Sequence, residues 1–321
     1  MNDSETSIQT AAVDKLRSQV RIGVELTPLT EKGDAKVRRI FMALAFFSVI
    51  VMGLIVLFLF KEGIGLLGSV NLSDFLLGRR WLPTFHTPYY GILPLVAGSM
   101  AVTLVSSLIA VPLGVATALY LSAVASDWVR EWVKPAIELL ASLPSVVLGF
   151  LGLVVISPLM QSWGVNIGLN VLNASLMLAL MAIPTITSIS EDALHSVPRE
   201  WLEASYALGA TQWETVARVL IPGALSGIGT AVILGMSRAM GETMVVLMVA
   251  GGAAQLPSSL FQPVRPMPAT IASEMGETPF GSDHYHALFA IGIVLFVLVL
   301  VFNLLAAWIS HRFHQKGSAT L

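Results

Sequence analysis

Residues 203–222 read EASYALGATQWETVARVLIP, a polar stretch between two long apolar segments. Gly209 is expected to close a first short helix, because glycine commonly follows a helix C-terminus. Thr211 and Glu214 have the Thr-x-x-Glu spacing of a capping box, which predicts the start of a second helix, and Pro222 is expected to end it. The stretch therefore predicts a helical hairpin that projects from a membrane-embedded bundle toward a cytoplasmic partner.

The composition excludes most other classes of protein. Hydrophobic residues make up 55% of the chain and charged residues only 12%, and the mean hydropathy is +0.78, so an integral membrane protein is expected. A net charge of −2 and the absence of a long basic run argue against nucleic-acid binding. Without cysteine there is no disulfide or thiolate site, and the His284-x-His286 pair has no third ligand nearby in sequence. We expect no bound metal.

Long apolar windows predict an all-α membrane protein with about six transmembrane helices. The windows are residues 40–60, 93–124, 135–157, 171–190, 223–250 and 287–310. We expect residues 36–315 to form the membrane domain, with the cytoplasmic hairpin at about 195–222 and outer segments at about 61–92 and 251–286. Residues 1–35 and 316–321 are expected to be tails, the first of them mobile.

The basic residues of the polar joints predict the orientation. Most of them fall on one side of the alternating spans: Lys32, Lys36, Arg38, Arg39, Arg130, Lys134, Arg199, Arg218, Arg312 and Lys316. The segment 157–170 carries no charge and is expected outside, whereas Arg79 and Arg80 are an outer exception. The positive-inside rule therefore places both termini and the hairpin in the cytoplasm.

Two ionisable residues lie within the fifth apolar window. A charge in a span costs about 2.5–3.5 kcal/mol on insertion scales, so it persists where it is paired or faces water. Arg238 and Glu242 are one helical turn apart, roughly 20 Å from the expected cytoplasmic end. We interpret them as part of a substrate pathway, with the adjacent Ser237, Gly241 and Thr243 as further candidates. A structural ion pair that fixes the helix is the alternative.

The third window contains secondary candidates. Glu138 is as compatible with a structural or interfacial role as with a pathway role, because it is expected near the cytoplasmic end of its helix. Pro144 and Ser145 interrupt the window and could free backbone carbonyls toward a cavity, although a simple kink is the commoner outcome.

The chain contains no Gly-x-x-x-x-Gly-Lys-Ser/Thr motif that could hold nucleotide phosphates. We therefore expect a non-enzymatic chain that draws its energy from another subunit. Ser-Lys, paired-Asp and His-Glu-x-x-His arrangements at membrane depth are also absent from the sequence, which argues against an intramembrane enzyme.

The hairpin resembles the EAA loop of ABC importer permeases. Glu203, Ala204 and Ser205 stand at the EAA positions, Gly209 follows at the family spacing, and Val219-x-Ile221-Pro222 matches the distal I-x-L-P. Ser205 replaces the second alanine, a small-for-small change. In that family the loop docks on the ATPase subunit, which implies the same role here; a capped hairpin that merely links two spans is the alternative.

Two further segments resemble phosphate-specific permeases of the PstC type. Residues 234–244, LGMSRAMGETM, are similar to their GLGRALGETM segment, and residues 137–145, IELLASLPS, are similar to IELLAAIPS. The resemblance covers the chain from about residue 91 to its C-terminus.

This resemblance implies the type I ABC importer permease fold and phosphate import across the bacterial cytoplasmic (inner) membrane. It also implies the partners: a second permease of the PstA type, two ATPase subunits of the PstB type that hold ATP and Mg²⁺, and an external phosphate-binding protein of the PstS type. No cofactor is expected on this chain itself. A permease for molybdate or sulfate is the near alternative, and a passive anion channel is the more distant one.

Overall fold

The computed structural model describes residues 31–314, with the side chains of residues 37–309. The chain divides into two compact units, residues 1–57 and residues 58–321. Most of the tail expected over residues 1–35, and all of the tail expected over 316–321, lie outside the described residues.

The described part of the chain is almost entirely helical. Its helices are α1 (Glu31–Ile64), α2 (Leu72–Leu77), α3 (Leu93–Ala123), α4 (Asp127–Ser142), α5 (Ser145–Leu151), α6 (Ser157–Ser162), α7 (Val171–His195), α8 (Arg199–Ala207), α9 (Gln212–Thr215), α10 (Ile221–Gly241), α11 (Met244–Val249), α12 (Met267–Glu274) and α13 (Asp283–His314). Short strands β1 (Trp81–Leu82) and β2 (Tyr89–Tyr90) pair antiparallel, with Trp81 opposite Tyr90. A 3₁₀ turn covers Gly65–Gly68, and π turns cover Gly152–Ile156 and Val216–Leu220.

Within residues 31–314, six helical segments are long and apolar enough to cross a membrane, which confirms the expected number. They are Val37–Gly68, Leu93–Ala123, Ser145–Ser162, Val171–His195, Gln212–Gly241 and Asp283–Ile309. Only helices and closed barrels satisfy every backbone hydrogen bond inside hydrocarbon, so an apolar chain of this composition becomes a helical bundle. The fold is therefore that of an all-α integral membrane protein.

The third span differs from its expected window of 135–157. The chain breaks at Leu143 and Pro144, which both have extended backbone angles, and the span starts only at Ser145. Proline disfavours the helical conformation of the residue before it, which explains a break inside an uninterrupted apolar sequence. Helix α4 is thereby a separate amphipathic helix, and Glu138 lies on its exposed side rather than in a span.

The fifth span also differs from expectation, because Pro222 does not end a helix. Helix α10 begins at Ile221 and includes Pro222 in its first turn, so the helical path runs unbroken from Gln212 to Gly241. Proline lacks an N–H and clashes with the carbonyl four residues back in a regular helix. The preceding π turn widens the helix, and the Ile221 N–H donates to the Val216 carbonyl five residues back.

Helix α7 is the central helix of the bundle and packs along α3 and α10. Its Ile186 is buried between two glycines: a β-carbon on Gly114 of α3 would lie 2.9 Å from Ile186 Cγ2, and one on Gly235 of α10 would lie 2.6 Å from Ile186 Cγ1. Only glycine allows this approach of the three helices. Gly235 therefore meets a side chain of the same subunit.

Buried Asn173 joins α7 to the third span. Its side-chain amide donates to the carbonyls of Gly152, in the π turn of that span, and Gly168, each at 2.9 Å. Its backbone N–H donates to the side chain of Asn170, which caps α7. One amide thus joins the third span to the loop before α7.

We predict that Asn173→Ala lowers the stability of the purified protein by about 2–4 kcal/mol, because two buried carbonyls lose their donor. The measurement is the thermal unfolding midpoint in detergent. Asn71→Ala is the matched control, since Asn71 is exposed at the start of α2 and its side chain makes no capping hydrogen bond. Equal midpoints for the two variants would contradict the prediction.

Candidate functional site

The fifth candidate span ends at the site residues. Helix α10 ends at Gly241, Glu242 has an extended backbone with φ −71° and ψ 131°, and α11 starts at Met244. The Thr243 hydroxyl lies 3.5 Å from the Gly241 carbonyl, across the break. A helix end leaves its last carbonyls without helical partners, so polar backbone groups lie at this end of the fifth span.

Arg238 and Glu242 lie at the end of helix α10 and line the same small cleft. Arg238 is in the last turn of the helix, and Glu242 directly follows it. Arg238 is exposed and Glu242 is half-buried. Across the described residues, neither side chain has an ion-pair partner within 4 Å. The alternative of a structural ion pair between them is therefore not formed in this conformation.

Two small adjoining clefts border the break and share Glu242 and Ala239. One is lined by Leu178, Met181, Ala182, Arg238, Ala239 and Glu242. The other is lined by Ser99, Val102, Thr103, Leu178, Ala239, Met240, Glu242, Val246 and Pro266. Arg238 thus opens onto the helix α7 side, while Glu242 connects that side with the outer half of α3.

The remaining pathway candidates lie in the same short segment but in different environments. Ser237 is buried, and no hydrogen-bond partner for its hydroxyl is found in the described part of the chain. A β-carbon on Gly241 would meet open space, so this glycine is not required by packing inside the subunit. Chemically, the segment offers one forked cation, one carboxylate and two hydroxyls, a set suited to a hydrogen-bonding anion.

The hairpin is built as its sequence predicts up to the start of α10. Gly209 follows α8 with a φ of +83°, a value that favours glycine, and a β-carbon there would meet open space. The Thr211 backbone N–H and hydroxyl both donate to the Glu214 carboxylate, at 2.9 and 2.8 Å, and the Glu214 N–H donates to the Thr211 hydroxyl. The capping box is confirmed.

The position where serine replaces alanine contributes a bond between the two arms. The hydroxyls of Ser205 on α8 and Thr215 on α9 lie 2.9 Å apart, and Thr215 is fully buried. The neighbouring Glu203 and Ala204 are exposed, as are the large side chains at the tip, where Leu208 is 90% and Trp213 67% exposed. The hairpin therefore presents an apolar, rigid end.

The base of the hairpin is packed into the bundle. Buried residues of three segments meet there: Ala118 of α3, Leu194 and Val197 near the end of α7, and Val216, Leu220, Ala224 and Ile228 of the fifth span. Gln212 also donates to the Ala123 carbonyl, the last residue of α3, at 2.7 Å. The base of the hairpin therefore contacts α3, α7 and α10 together.

The secondary candidates do not join the clefts. Glu138 is exposed on α4, Pro144 is exposed at the break before α5, and Ser145 is half-buried at the start of α5. The α4 helix instead contributes Lys134, whose Nζ lies 3.2 Å from the Glu191 carboxylate.

Glu191 is a buried carboxylate that the sequence reasoning missed. Besides Lys134, His195 Nε2 lies 3.6 Å from it, one turn further along α7. In the sequence, Glu191 is marked only by its position, because it directly follows the fourth apolar window, residues 171–190. The pairing with Lys134 spans 57 residues and leaves no periodic pattern.

A second cluster that the sequence reasoning missed surrounds Glu274, at the end of the bundle opposite the hairpin. Its carboxylate contacts Trp81, Arg265 and His284. Nearby, burial raises the pKa of the Tyr90 phenol, and the Asp283 carboxylate adds to the rise, so Tyr90 is a neutral hydroxyl at physiological pH.

Comparison with known proteins gives consistent matches over most of the chain. A family model described as "Binding-protein-dependent transport system inner membrane component" matches residues 110–315. The chain is 40% identical over 282 residues to the probable ABC transporter permease protein YqgH of Bacillus subtilis, covering 87% of this chain and 91% of that protein. It is 32% identical over 316 residues to the phosphate transport system permease protein PstC of Mesorhizobium japonicum, covering 89% and 95%.

Solved structures share the fold at low identity. The crystal structure of a bacterial ABC transporter that imports the polysaccharide alginate aligns with a TM-score of 0.58 at 17% identity, covering 88% of this chain and 99% of that one. An inward-facing MetNI methionine ABC transporter aligns with a TM-score of 0.53 at 22% identity, covering 67% and 93%.

We predict that Thr211→Ala raises amide hydrogen exchange in Gln212–Thr215 about fivefold, because an N-cap is worth about 1 kcal/mol. Exchange is measured by mass spectrometry on the detergent-solubilised protein. Thr117→Ala is the matched control, since the Thr117 hydroxyl is exposed and donates only to Leu113 in its own helix. Unchanged exchange in Thr211→Ala would show that the box does not hold the hairpin.

Proposed function

Because the chain belongs to the family of binding-protein-dependent transport system inner membrane components, and within it to the permeases of the PstC type, we propose that it is a permease subunit of an ABC importer for inorganic phosphate. Its fold is the six-span fold of type I ABC importer permeases. The observation that carries the proposal within this chain is Arg238, a cation without an ion-pair partner among the described residues, in the last turn of the fifth span next to the helix break.

Arg238 is the residue that would recognise the anion. A guanidinium presents donors in a fork that matches two oxygens of a tetrahedral oxyanion, and it stays protonated at any physiological pH. Phosphate hydroxyls also donate hydrogen bonds, and the Glu242 carboxylate can accept them. Because Arg238 and Glu242 are not paired with each other, both can turn to the substrate without first breaking a salt bridge.

Glu242 gives the site a second function. A cation that held phosphate alone would release it slowly, and transport requires that binding be reversible. The carboxylate competes with phosphate for Arg238 when the helices around the break rearrange. Ser237 and Thr243 would supply hydroxyl donors at the same level, and Gly241 leaves the anion room to approach the backbone.

The hairpin is the proposed contact with the energy source. Glu203, Ala204 and Ser205 lie on its first helix, Gly209 forms its turn, and Pro222 lies where it continues into the fifth span. Its exposed apolar tip fits a groove on a cytoplasmic ATPase subunit. ATP and Mg²⁺ are bound by that partner, and this chain is not an enzyme by itself.

The complete importer is proposed to contain four kinds of protein in the inner membrane and outside it. This chain pairs with a second permease of the PstA type, two ATPase subunits of the PstB type bind at the cytoplasmic side, and a phosphate-binding protein of the PstS type delivers substrate from outside. The chain's termini and hairpin are on the cytoplasmic side, consistent with the distribution of its basic residues.

We predict that Arg238→Gln abolishes ATP-dependent uptake of labelled phosphate in vesicles that contain the four kinds of protein, because the forked cation is lost while a polar side chain is kept. The loss should exceed roughly 100-fold, because the bound anion loses the charged partner of its hydrogen bonds. Arg39→Gln, an exposed position on α1, is the control and should take up phosphate normally.

If an assembled Arg238→Gln complex takes up phosphate at the normal rate, Arg238 is not a residue of the substrate pathway. An assembled native complex that carries sulfate or molybdate but not phosphate would overturn the substrate while leaving the importer intact. Phosphate flux that needs neither ATP nor the ATPase subunit would instead identify a passive channel.

We predict that Gly209→Val reduces phosphate uptake while ATP hydrolysis by the complex continues. A β-branched residue at φ +83° costs about 1–2 kcal/mol or more, so the turn changes shape and the tip no longer seats in the same orientation. The ratio of phosphate imported to ATP hydrolysed is the measurement. Gly53→Val, at a helical glycine of α1 with open space around it, should leave the ratio unchanged; the same ratio in both variants would count against the hairpin as the coupling element.

A further inference from the structure

Four outer segments meet at one carboxylate. Trp81 Nε1 of β1 donates to both oxygens of Glu274, each at 3.1 Å. Arg265 Nη1, in the loop before α12, donates to Glu274 Oε1 at 2.6 Å, and His284 Nε2, in the first turn of α13, lies 2.8 Å from Oε2. These three partners come from widely separated parts of the sequence, so Glu274 ties them to the end of α12.

The cluster is shielded and geometrically complete. The side chain of Glu274 is 16% exposed, that of His284 is 14% exposed, and Trp81 is buried. A charge-assisted bond in partial burial is roughly twice as strong as a neutral one. His286, two residues from His284, faces a different partner, the backbone carbonyl of Glu62. The two histidines therefore belong to two separate contacts.

The same cluster fixes the start of α12. Arg265 also donates from Nε to the Gly252 carbonyl at 2.7 Å, so it spans the loop between the fifth crossing and α12. Two residues after Arg265, the Met267 N–H donates to the buried Ser99 hydroxyl of α3 at 2.8 Å. Glu274 thus acts at one end of α12, and Ser99 at the other.

Helix α12 borders the candidate pathway. Pro266, directly before α12, lines the same small cleft as Thr103 of α3 and Glu242 of the helix break. A shift of α12 therefore opens or closes this cleft on the outer side. Met267 and Ala269 of α12 are buried against the bundle, so a shift of α12 also changes the packing of these two side chains.

We propose that Glu274 is a positioning residue that holds α12 as an outer lid over the cleft of Glu242, through its bonds to Arg265, His284 and Trp81. The inference rests on the proposed transport function and adds the element that closes the pathway on the outside. Release of these bonds lets α12 move away from α3, and the cleft then opens toward the outer solution.

Glu274→Gln tests the positioning role because it keeps the size of the side chain and replaces one acceptor oxygen with an NH₂ group, which is a donor. Oε1 faces Arg265 and Oε2 faces His284, and each oxygen also accepts from Trp81. An amide has only one oxygen, so its NH₂ must face a donor in either orientation. Glu277→Gln is the matched control, since Glu277 is exposed three residues later and its side chain has no hydrogen bond or ion pair among the described contacts.

The measurement is the rate at which a membrane-impermeant maleimide labels a single cysteine from outside, in vesicles with the assembled complex. The natural chain has no cysteine, so every signal comes from the introduced one. Thr103→Cys reports the cleft below the lid. Ala110→Cys, fully buried seven residues further along α3, reports any general loosening of the bundle.

We expect Glu274→Gln to raise labelling at position 103 about tenfold, the change in an opening equilibrium that loss of a charge-assisted hydrogen bond produces. Labelling at position 110 should stay slow, and Glu277→Gln should change neither reporter. Faster labelling at both positions would overturn the proposal, because it would mean that the variant only destabilises the bundle. No change at position 103, or an equal change in Glu277→Gln, would overturn it as well.

Labelling does not depend on which anion is carried, so the two hypotheses fail separately. A complex that takes up no phosphate but labels as expected would support α12 as a lid and contradict phosphate as the substrate. A complex that takes up phosphate while Glu274→Gln and Glu277→Gln label at the same rate would support phosphate as the substrate and contradict α12 as a lid.

Discussion

The need to satisfy every backbone hydrogen bond inside hydrocarbon controls this structure. Regular helices meet that need without help, and the six crossings are built from them. The interruptions then stand out because each must find its own partners. The π turn at Gly152–Ile156 receives the amide of Asn173, and the π turn at Val216–Leu220 accommodates Pro222. The break at Gly241–Thr243 has only one long contact across it, and it is the interruption that carries the ionisable residues.

Composition and apolar windows were sufficient to predict the architecture, because span formation depends on local hydrophobicity alone. The windows failed where local conformation overrides hydrophobicity. Residues 135–142 are apolar enough to extend a span, yet the constraint that Pro144 puts on Leu143 separates them as an amphipathic helix. Pro222 was expected to stop a helix, and a π turn, which has no sequence signature, lets the helix continue.

At the site, the sequence was likewise enough to identify the important residues but not their arrangement in space. The sequence was enough to select Arg238 and Glu242, since charges in a span are rare, and the hairpin's cap could be predicted from four residues. Their arrangement could not be predicted, because the apolar window runs on from 223 to 250 and gives no sign that α10 ends at Gly241. The contacts of Glu191 and Glu274 join residues far apart in the chain, and no periodicity within one segment encodes such pairs.

The unbroken helical path from Gln212 to Gly241 limits how this protein can evolve. Each residue added to a helix turns everything beyond it by about 100° and advances it by about 1.5 Å. One insertion or deletion between these ends would point Arg238 at a different neighbour while leaving the hairpin in place. We therefore expect insertions and deletions at the turn around Gly209 and in the loops between spans. A change of one residue there does not alter the direction in which Arg238 points.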